Sequence, residues 1–307
     1  MRVTAMMQAR TAPTLAPFQA LYDASSGDEL PLPPELAGIY GPLRLPSHAG
    51  RPHVIGNLVT SLDGVVSLGI PGKEGGKAIS GANEHDRALM GLLRATADAI
   101  IMGAGTLRTA SHHLLTPEYA HPPLGEAYTE FRAMMGKPEP PLSVIVTATG
   151  DVDTSAALFR AGARVLVVTT PAGQERLESL GLPQWVRVEV PEGAQANSES
   201  KLTAEAMLRA VRRALHTDSG VVLVEGGPHL IGNFFGAASL DEMFLTLSPQ
   251  VVGRDGRAGR PGLVEGRSLA PEHPAWGTLV GVRRAGSHLF LRYEFGAEQE
   301  AGVTAFQ

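Results

Sequence analysis

Glu225 closes the apolar run Val221-Val222-Leu223-Val224 and is followed at once by Gly226-Gly227-Pro228. A carboxylate therefore stands where a buried strand breaks into paired glycines and a proline that can open a helix. Open α/β sheets hold their ligands at such carboxyl ends, and a charge placed there needs a partner. Glycines without Cβ let a pyrophosphate approach the backbone, and a helix N-terminus offers unpaired N–H groups to it. A bare βα turn asks for the same glycines, so Gly226 and Gly227 alone leave turn and anion site equally open. A second corner of this type is Ala99-Ile100-Ile101-Met102-Gly103-Ala104-Gly105-Thr106, where Gly103 and Gly105 begin a dinucleotide fingerprint that Arg108 breaks at the third glycine. Two such corners favour a nucleotide cofactor more than either does alone. Asp63, in Thr60-Ser61-Leu62-Asp63-Gly64, ends another strand. It reads either as turn chemistry leading into Val65–Leu68 or as a second carboxylate facing the cavity with Glu225.

Other chemistries find no anchor. The stretch Gly72-Lys73-Glu74-Gly75-Gly76-Lys77 has Pro71 and Ala78 where a phosphate loop needs Gly and Ser or Thr, and neither Gly-x-Ser-x-Gly nor His-Glu-x-x-His occurs. The chain has no cysteine, which removes disulfides, thiolate metal sites and a thiol nucleophile. His112, His113 and His121 fit no metal-ligand spacing and read as loop residues near the mouth of a site; no metal is expected. With 26 Lys and Arg against 31 Asp and Glu, the net charge of −5 gives no basic stripe for nucleic acid. No apolar stretch is long enough to span a bilayer, so a cytoplasmic protein without a membrane partner is expected. Arg2 and Arg10, with no acid among the first 22 residues, leave a faint targeting character that a frayed tail explains as well.

The elements that must position these residues alternate between β-branched runs and segments of helical period, the pattern of a largely parallel sheet covered by helices. Strands are expected at His53–Val59, Ala99–Met102, Ser143–Thr147, Arg164–Thr169, Val186–Val190 and Val221–Val224. Asp241–Leu247 and His288–Phe295 should add antiparallel character at the end of the chain. Gly81–Ala95 reads as a helix capped by Ser80, with Glu84 and Asp86 at its positive end. Leu202–His216 reads as an amphipathic helix with Arg209, Arg212 and Arg213 near its negative end. Pro31, Pro33, Pro34, Pro42 and Pro46 mark residues 1–50 as an extended N-terminal arm before a domain over 51–307. The Gly- and Arg-rich stretch Gly253–Gly266 reads as a mobile loop between the last strands.

Taken in order, Ser61-Leu62-Asp63-Gly64, Leu92-Leu93-Arg94-Ala95 leading to Gly103-Ala104-Gly105-Thr106, Glu225-Gly226-Gly227-Pro228, and Leu247-Ser248-Pro249 with Gly253 resemble the pyrimidine reductase domain of riboflavin biosynthesis. The likeness runs over about residues 53–295. It implies a dihydrofolate-reductase-like α/β fold, three αβα layers with a mixed, mostly parallel sheet, and an NADPH-dependent oxidoreductase acting on a pyrimidine, pteridine or related heterocycle, usually as a homodimer. It further implies that Thr106 and the run Gly227, Pro228, His229, Leu230 to Gly232 lie against the cofactor with the backbone of Val59 beside them, together with Gly103, Gly105 and Gly226. Arg94 and Ser61 would contact substrate, and Glu225 and Asp63 are the candidate catalytic carboxylates. Preference for NADPH over NADH would call on Thr147, Thr149, Thr169 and Thr170 at neighbouring strand ends.

Three departures accompany the likeness. The family's substrate-gripping Asp-Pro is replaced within Thr109-Ala110-Ser111-His112-His113, with Pro117 at a later Arg position. The tryptophan before the first helix is missing from Lys77-Ala78-Ile79-Ser80, and the zinc deaminase often fused to this reductase would need cysteines. A dihydrofolate reductase proper, and a non-catalytic NADP(H)-binding sensor module, are the alternative readings.

Overall fold

A computed structural model describes residues 15–70, 75–109, 111–192, 202–256 and 259–296. Arg2, Arg10, Ala110, residues 72–74 of the rejected phosphate loop and residues 257–258 of the Gly- and Arg-rich loop lie outside the described residues. Twelve strands occur in them: β1 (Gln19–Asp23), β2 (Asp28–Glu29), β3 (Arg44–Leu45), β4 (His53–Thr60), β5 (Ala99–Gly103), β6 (Leu142–Thr147), β7 (Val165–Thr169), β8 (Val186–Glu189), β9 (Val221–Val224), β10 (Glu242–Leu247), β11 (Thr278–Ala285) and β12 (His288–Glu294). The α-helices are α1 (Pro34–Tyr40), α2 (Gly76–Ser80), α3 (Glu84–Thr96), α4 (Ala104–Thr109), α5 (Pro117–Ala120), α6 (Gly125–Met134), α7 (Ala157–Arg160), α8 (Pro171–Ser179), α9 (Ala204–Leu215) and α10 (Pro228–Gly236).

Ten strands form one sheet in the order β1-β11-β12-β10-β4-β9-β5-β6-β7-β8. From β10 to β8 all neighbours run parallel, and the β10–β12, β12–β11 and β11–β1 pairs are antiparallel. This is the expected mixed, mostly parallel sheet. Two layers cover it. Alternate residues of the central strands, such as Ile55, Ile100 and Leu223, pack under α3 and α6, while Val54, Ile101, Val222 and Val224 pack under α9 and α10. Near-continuous apolar runs are what strands buried on both faces require.

The sheet order places β9 between β4 and β5, so the tips that carry Gly103 and Glu225 sit side by side with β4 along their other flank. Pairing of β4 with β9 ends at Gly56↔Val224, whereas pairing with β10 continues to Thr60↔Leu247. Beyond Gly56, the β9-side edge of β4 therefore runs on past the end of its neighbour.

The helix after β4 begins later than the pattern of apolar residues suggests. Asn83, not Ser80, caps it, accepting the Asp86 N–H at 3.0 Å, because Gly81 in the left-handed region first ends the short α2. Helix α9 starts on the Thr203 cap.

The proline-rich N-terminal segment packs onto the sheet. Strand β1 forms its edge against β11, and Phe18, Leu36, Ile39 and Leu43 are buried in the core under α3 and α6. Arg283 bolts this segment down: its guanidinium lies 4.1 Å over the Tyr40 ring and donates to Tyr40 O, Pro42 O and Asp23. Among the described residues no helix is long and apolar enough to cross a membrane.

Candidate active site

The two glycine corners meet. Gly103 N donates to Gly226 O at 3.0 Å, and Glu225 N donates to Ile101 O at 3.1 Å, so the tips of β5 and β9 are held in register as they break into their turns. They open into a cleft of ≈ 500 Å³ whose walls include Gly103, Gly105, Thr106, Thr147, Gly227 and His229, with Pro228, Leu230, Arg108 and Asn233 completing the rim. A Cβ on Gly227 would come within 3.1 Å of the Thr106 hydroxyl, and one on Gly103 within 3.9 Å of Gly226 O and Gly227 N. The approach is tight at Gly227, whereas a Cβ on Gly103 would be in ordinary contact with the facing corner.

Helix α10 starts here on Gly227 with no side-chain cap. Its first-turn N–H groups are therefore left for a ligand, and the helix dipole favours an anionic one. A dinucleotide diphosphate fits this cradle: backbone donors, no Cβ, and an apolar floor from Val146, Leu202 and Met207.

Several expected contacts are placed elsewhere. Thr169 is fully buried, its hydroxyl donating to Thr147 O at 2.7 Å, with Gly173 packed so tightly that a Cβ there would clash with it. It supports the strand end and does not reach the cleft. Thr170 caps α8 instead. Thr147 and Thr149 do line the cleft. Gly232 lies in α10 where a Cβ would come within 2.6 Å of Glu265 O, so its small size serves packing of the 264–267 segment. Val59 is buried against α2, where a Cβ on Gly76 would meet its Cγ1 at 2.9 Å, and only its backbone belongs to the free edge of β4.

Asp63 does not face a cavity with Glu225. Its carboxylate accepts from Ser61 Oγ at 2.7 Å, Val252 N at 3.1 Å and Gly253 N at 2.7 Å. The Ser61 hydroxyl first, then the Val252 amide, hold the carboxyl well below the usual carboxylate range. Ser61 is itself fully buried and receives Val65 N, so both residues lock the β4 turn to the segment after β10. Asp63→Ala is expected to loosen that segment. Limited trypsin digestion at Arg254 should accelerate several-fold while dinucleotide affinity stays near wild type, and an unchanged cleavage rate would contradict this role.

Arg94 and Glu225 form a buried pair. Arg94 Nε donates to both carboxylate oxygens at 2.9 and 3.1 Å, Nη2 donates at 2.7 Å, and Nη1 reaches Leu114 O and Thr116 O. The pair ties α3, the tip of β9 and the loop before α5 together. His113 of that loop is pushed down to about 4, by burial first and then by the positive charge of His112, Arg94, Arg87 and Lys77. It is therefore a neutral ring at neutral pH. His121 is buried, with no hydrogen-bond partner on either ring nitrogen.

A second polar group gathers on the α3 side of the same strand tips. Asp86, in the first turn of α3, has the Ser80 and Thr246 hydroxyls against its carboxyl, and Glu225 lies near enough to perturb it. Burial pushes the carboxyl above its ordinary range; Thr246, Ser80 and His288 offset part of this, and Glu225 adds to it. The Ser80 and Thr246 hydroxyls are buried and face this carboxyl. The sequence signals only a helix-dipole role for Asp86, and nothing in β10 marks Thr246, because sheet pairing of Thr246 with Val59 is what brings it here.

One metal-compatible cluster exists among the described residues, His48, His53 and Asp241, at the opposite end of β4. Its atoms already form a donor chain. Arg51 can only donate, so His48 Nδ1 accepts from it; His48 Nε2 then donates to His53 Nδ1 at 3.0 Å, and His53 Nε2 to Glu242 at 3.1 Å. Arg51 also occupies both Asp241 oxygens at 2.8 Å. These contacts tie the residues before β4 to the start of β10.

A mixed, mostly parallel sheet between helical layers, with a cleft of ≈ 500 Å³ at the parallel strand tips, defines an αβα protein. The RibD C-terminal domain family matches residues 52–272, and the chain belongs to that family. It is 30% identical over 206 residues to the 2,5-diamino-6-ribosylamino-4(3H)-pyrimidinone 5′-phosphate reductase of Archaeoglobus fulgidus, covering 66% of this chain and 83% of that protein. Among solved structures, a pyrimidine reductase-like protein of Corynebacterium diphtheriae superposes with a TM-score of 0.60 at 20% identity, covering 85% of this chain and 98% of the other. The riboflavin biosynthesis reductase Rib7 of Saccharomyces cerevisiae gives 0.53 at 15% identity, covering 81% and 92%. The deaminase/5-amino-6-(5-phosphoribosylamino)uracil reductase of Thermotoga maritima gives 0.53 at 22%, covering 80% of this chain and 57% of that one.

Proposed function

We propose that this chain is an NADPH-dependent reductase of a phosphoribosylamino-pyrimidine, the reading carried by the joined glycine corners at the tips of β5 and β9 in a member of this family. Gly103, Gly105, Gly227 and the uncapped start of α10 would hold the diphosphate, with Thr106, Pro228, His229 and Leu230 around it. Thr147, Thr149 and Arg108 stand at the cleft wall where a 2′-phosphate needs hydroxyls or a cation. NADPH would supply a hydride for the ring-opened sugar imine of the substrate.

The chain's own share of the reaction is positioning. The Arg94–Glu225 pair fixes the loop carrying His113 against the strand tips, and Arg94, Arg87 and Lys77 keep that neutral ring in positively charged surroundings. Asp63 is set aside as a proton donor because its carboxylate is taken up by Ser61 in the turn and by the Val252 and Gly253 amides after β10. Glu225 remains at the site, in contact with Arg94 rather than free to accept a proton. The reading includes a homodimer, which light scattering of the full chain checks.

The test is oxidation of NADPH by 2,5-diamino-6-ribosylamino-4(3H)-pyrimidinone 5′-phosphate, followed by nicotinamide absorbance. Turnover is expected, with NADPH bound at least about tenfold more tightly than NADH, a difference of about 1.4 kcal/mol. Tight NADPH binding with no turnover of pyrimidines or pterins would leave a binding module instead, and equal affinity for the two nucleotides would remove the 2′-phosphate contacts.

A further inference from the structure

We propose that His48, His53 and Asp241 form a binding site for a divalent transition-metal ion of the zinc class, with Arg51 competing against the ion for the same groups. The site lies at the opposite end of β4 from the cofactor cleft and does not depend on the reductase reading.

Three ligand atoms of the right kind converge there. His48 Nε2 lies 3.0 Å from His53 Nδ1 and 3.7 Å from Asp241 Oδ1, and His53 Nδ1 lies 3.8 Å from Asp241 Oδ2. Zinc holds nitrogen and oxygen ligands at about 2.0–2.1 Å in a tetrahedron, which sets neighbouring ligand atoms about 3.4 Å apart. The three separations fall on either side of that spacing, so an ion between these groups asks only for small side-chain shifts. Two imidazoles and one carboxylate, in a chain without a thiolate, select zinc, nickel or copper over magnesium or calcium. Three protein ligands leave the fourth position to water.

His53 carries a second mark of a metal ligand. Its Nε2 donates to Glu242 at 3.1 Å, and Glu242 is fully buried, with Arg292 donating to its two oxygens at 2.6 and 2.8 Å. A carboxylate that accepts from one ring nitrogen fixes the proton there and aims the other nitrogen's lone pair, and metal-bound histidines almost always have such a partner. His53 Nδ1 is thereby committed to accept, whether from the His48 N–H or from a cation. Burial of His53 in the core asks for the bond to Glu242. It does not ask for a second imidazole and a carboxylate gathered at the other nitrogen.

Arg51 is the competitor. It donates to the two oxygens of Asp241 at 2.8 Å each and to His48 Nδ1 at 3.2 Å. An ion on His48 Nε2 moves the ring proton to Nδ1, which then meets the Arg51 N–H donor to donor, so the guanidinium must leave. Leaving is easy: the Arg51 side chain is 49% exposed, and its one other bond is to the carbonyl of its neighbour Pro52. His48 and Asp241 reach the surface too, at 26% and 14%, which gives the ion a way in. Asp241 keeps Val54 N on Oδ2 at 2.8 Å, so Oδ1 is the oxygen released to the ion. A bound ion would then take over from Arg51 in joining the residues before β4 to the start of β10.

The experiment titrates the untagged full chain with Zn2+ by calorimetry and with Co2+ by visible absorbance, in the wild type, His48→Ala and Arg51→Ala. The wild type is expected to bind one Zn2+ per chain, to give the d–d bands of bound Co2+, and to melt about 5 °C higher with Zn2+ at about a hundredfold over the dissociation constant. His48→Ala removes a ligand and should weaken Zn2+ binding at least about a hundredfold, with loss of the Co2+ bands. Arg51→Ala removes the competitor and should tighten binding about tenfold, since the open form no longer has to be won from the guanidinium. Arg51→Ala decides the matter should His48→Ala fail to fold. Failure of both the wild type and Arg51→Ala to bind Zn2+, binding that survives His48→Ala, or an Arg51→Ala affinity no better than that of the wild type overturns the site.

Discussion

Gly103→Val is expected to abolish dinucleotide binding without unfolding the protein. Gly103 ends β5, where a β-branched residue suits the backbone, and it is not among the glycines held at positive φ. A Cβ there meets nothing closer than Gly226 O and Gly227 N at 3.9 Å, so the added methyls have the cleft itself to enter. They would occupy the space between the two corners and cover the N–H groups at the start of α10. The dissociation constant for NADPH should rise at least about a hundredfold, near 3 kcal/mol. The melting temperature in the absence of nucleotide should change by only about 2 °C, since surplus volume directed into an open cleft strains no packing. Gly226→Ala is a poorer probe: its φ of +107° and Leu58 Cδ2 at 3.2 Å from the new Cβ disturb the fold as well as the cradle. Calorimetric titration with NADPH alongside a thermal melt separates these effects. Wild-type affinity in a folded Gly103→Val protein would remove the glycine corners from the cofactor site.

What the sequence makes legible follows from which interactions are local. Val221–Val224 and Ala99–Gly103 announce themselves because strands buried on both faces must be apolar throughout, and Gly226 and Gly227 because the turn after β9 leaves little room for a Cβ. Strand β11 and the edge strand β1 leave weaker signs: half of each strand's environment is solvent, and Gln19–Asp23 is exposed throughout. Its place is set by distant groups, notably Arg283 against Tyr40 and Asp23. The same limit governs the site. Asp63 and Glu225 both stand at strand ends, yet one is consumed by the amides of Val252 and Gly253, 189 and 190 residues away, and the other by Arg94. Nothing at position 63 or 225 distinguishes the two before the chain is folded. Asp86 shows the converse, since its three-residue spacing from Asn83 explains its N–H, while its carboxyl's surroundings come from Ser80 and from Thr246 on β10.

Removing the carboxylate of Glu225 is expected to be the most destabilising single change at the site. In Glu225→Ala, the Arg94 guanidinium, 2% exposed, would keep only the carbonyls of Leu114 and Thr116 and stay buried without a counter-charge. Breaking one side of a buried pair costs about 3–5 kcal/mol, and for a domain of this size that lowers the melting temperature by roughly 10 °C. Replacing both partners, Arg94→Met with Glu225→Leu, should recover part of the loss because no lone charge remains. Recovery cannot be complete, since the carbonyls of Leu114 and Thr116 would then lose Arg94, each at about 1–3 kcal/mol if left unpaired. The cycle of single and double changes thus yields a coupling energy for the pair and a residue of cost that belongs to the loop. Activity divides the two roles open to Glu225. A residue that acts by holding Arg94, and through it the loop with His113, lowers kcat in Glu225→Gln without removing a limb from the pH profile of kcat/KM. A proton donor would lose that limb. The contacts of both carboxylate oxygens with one guanidinium favour the first outcome.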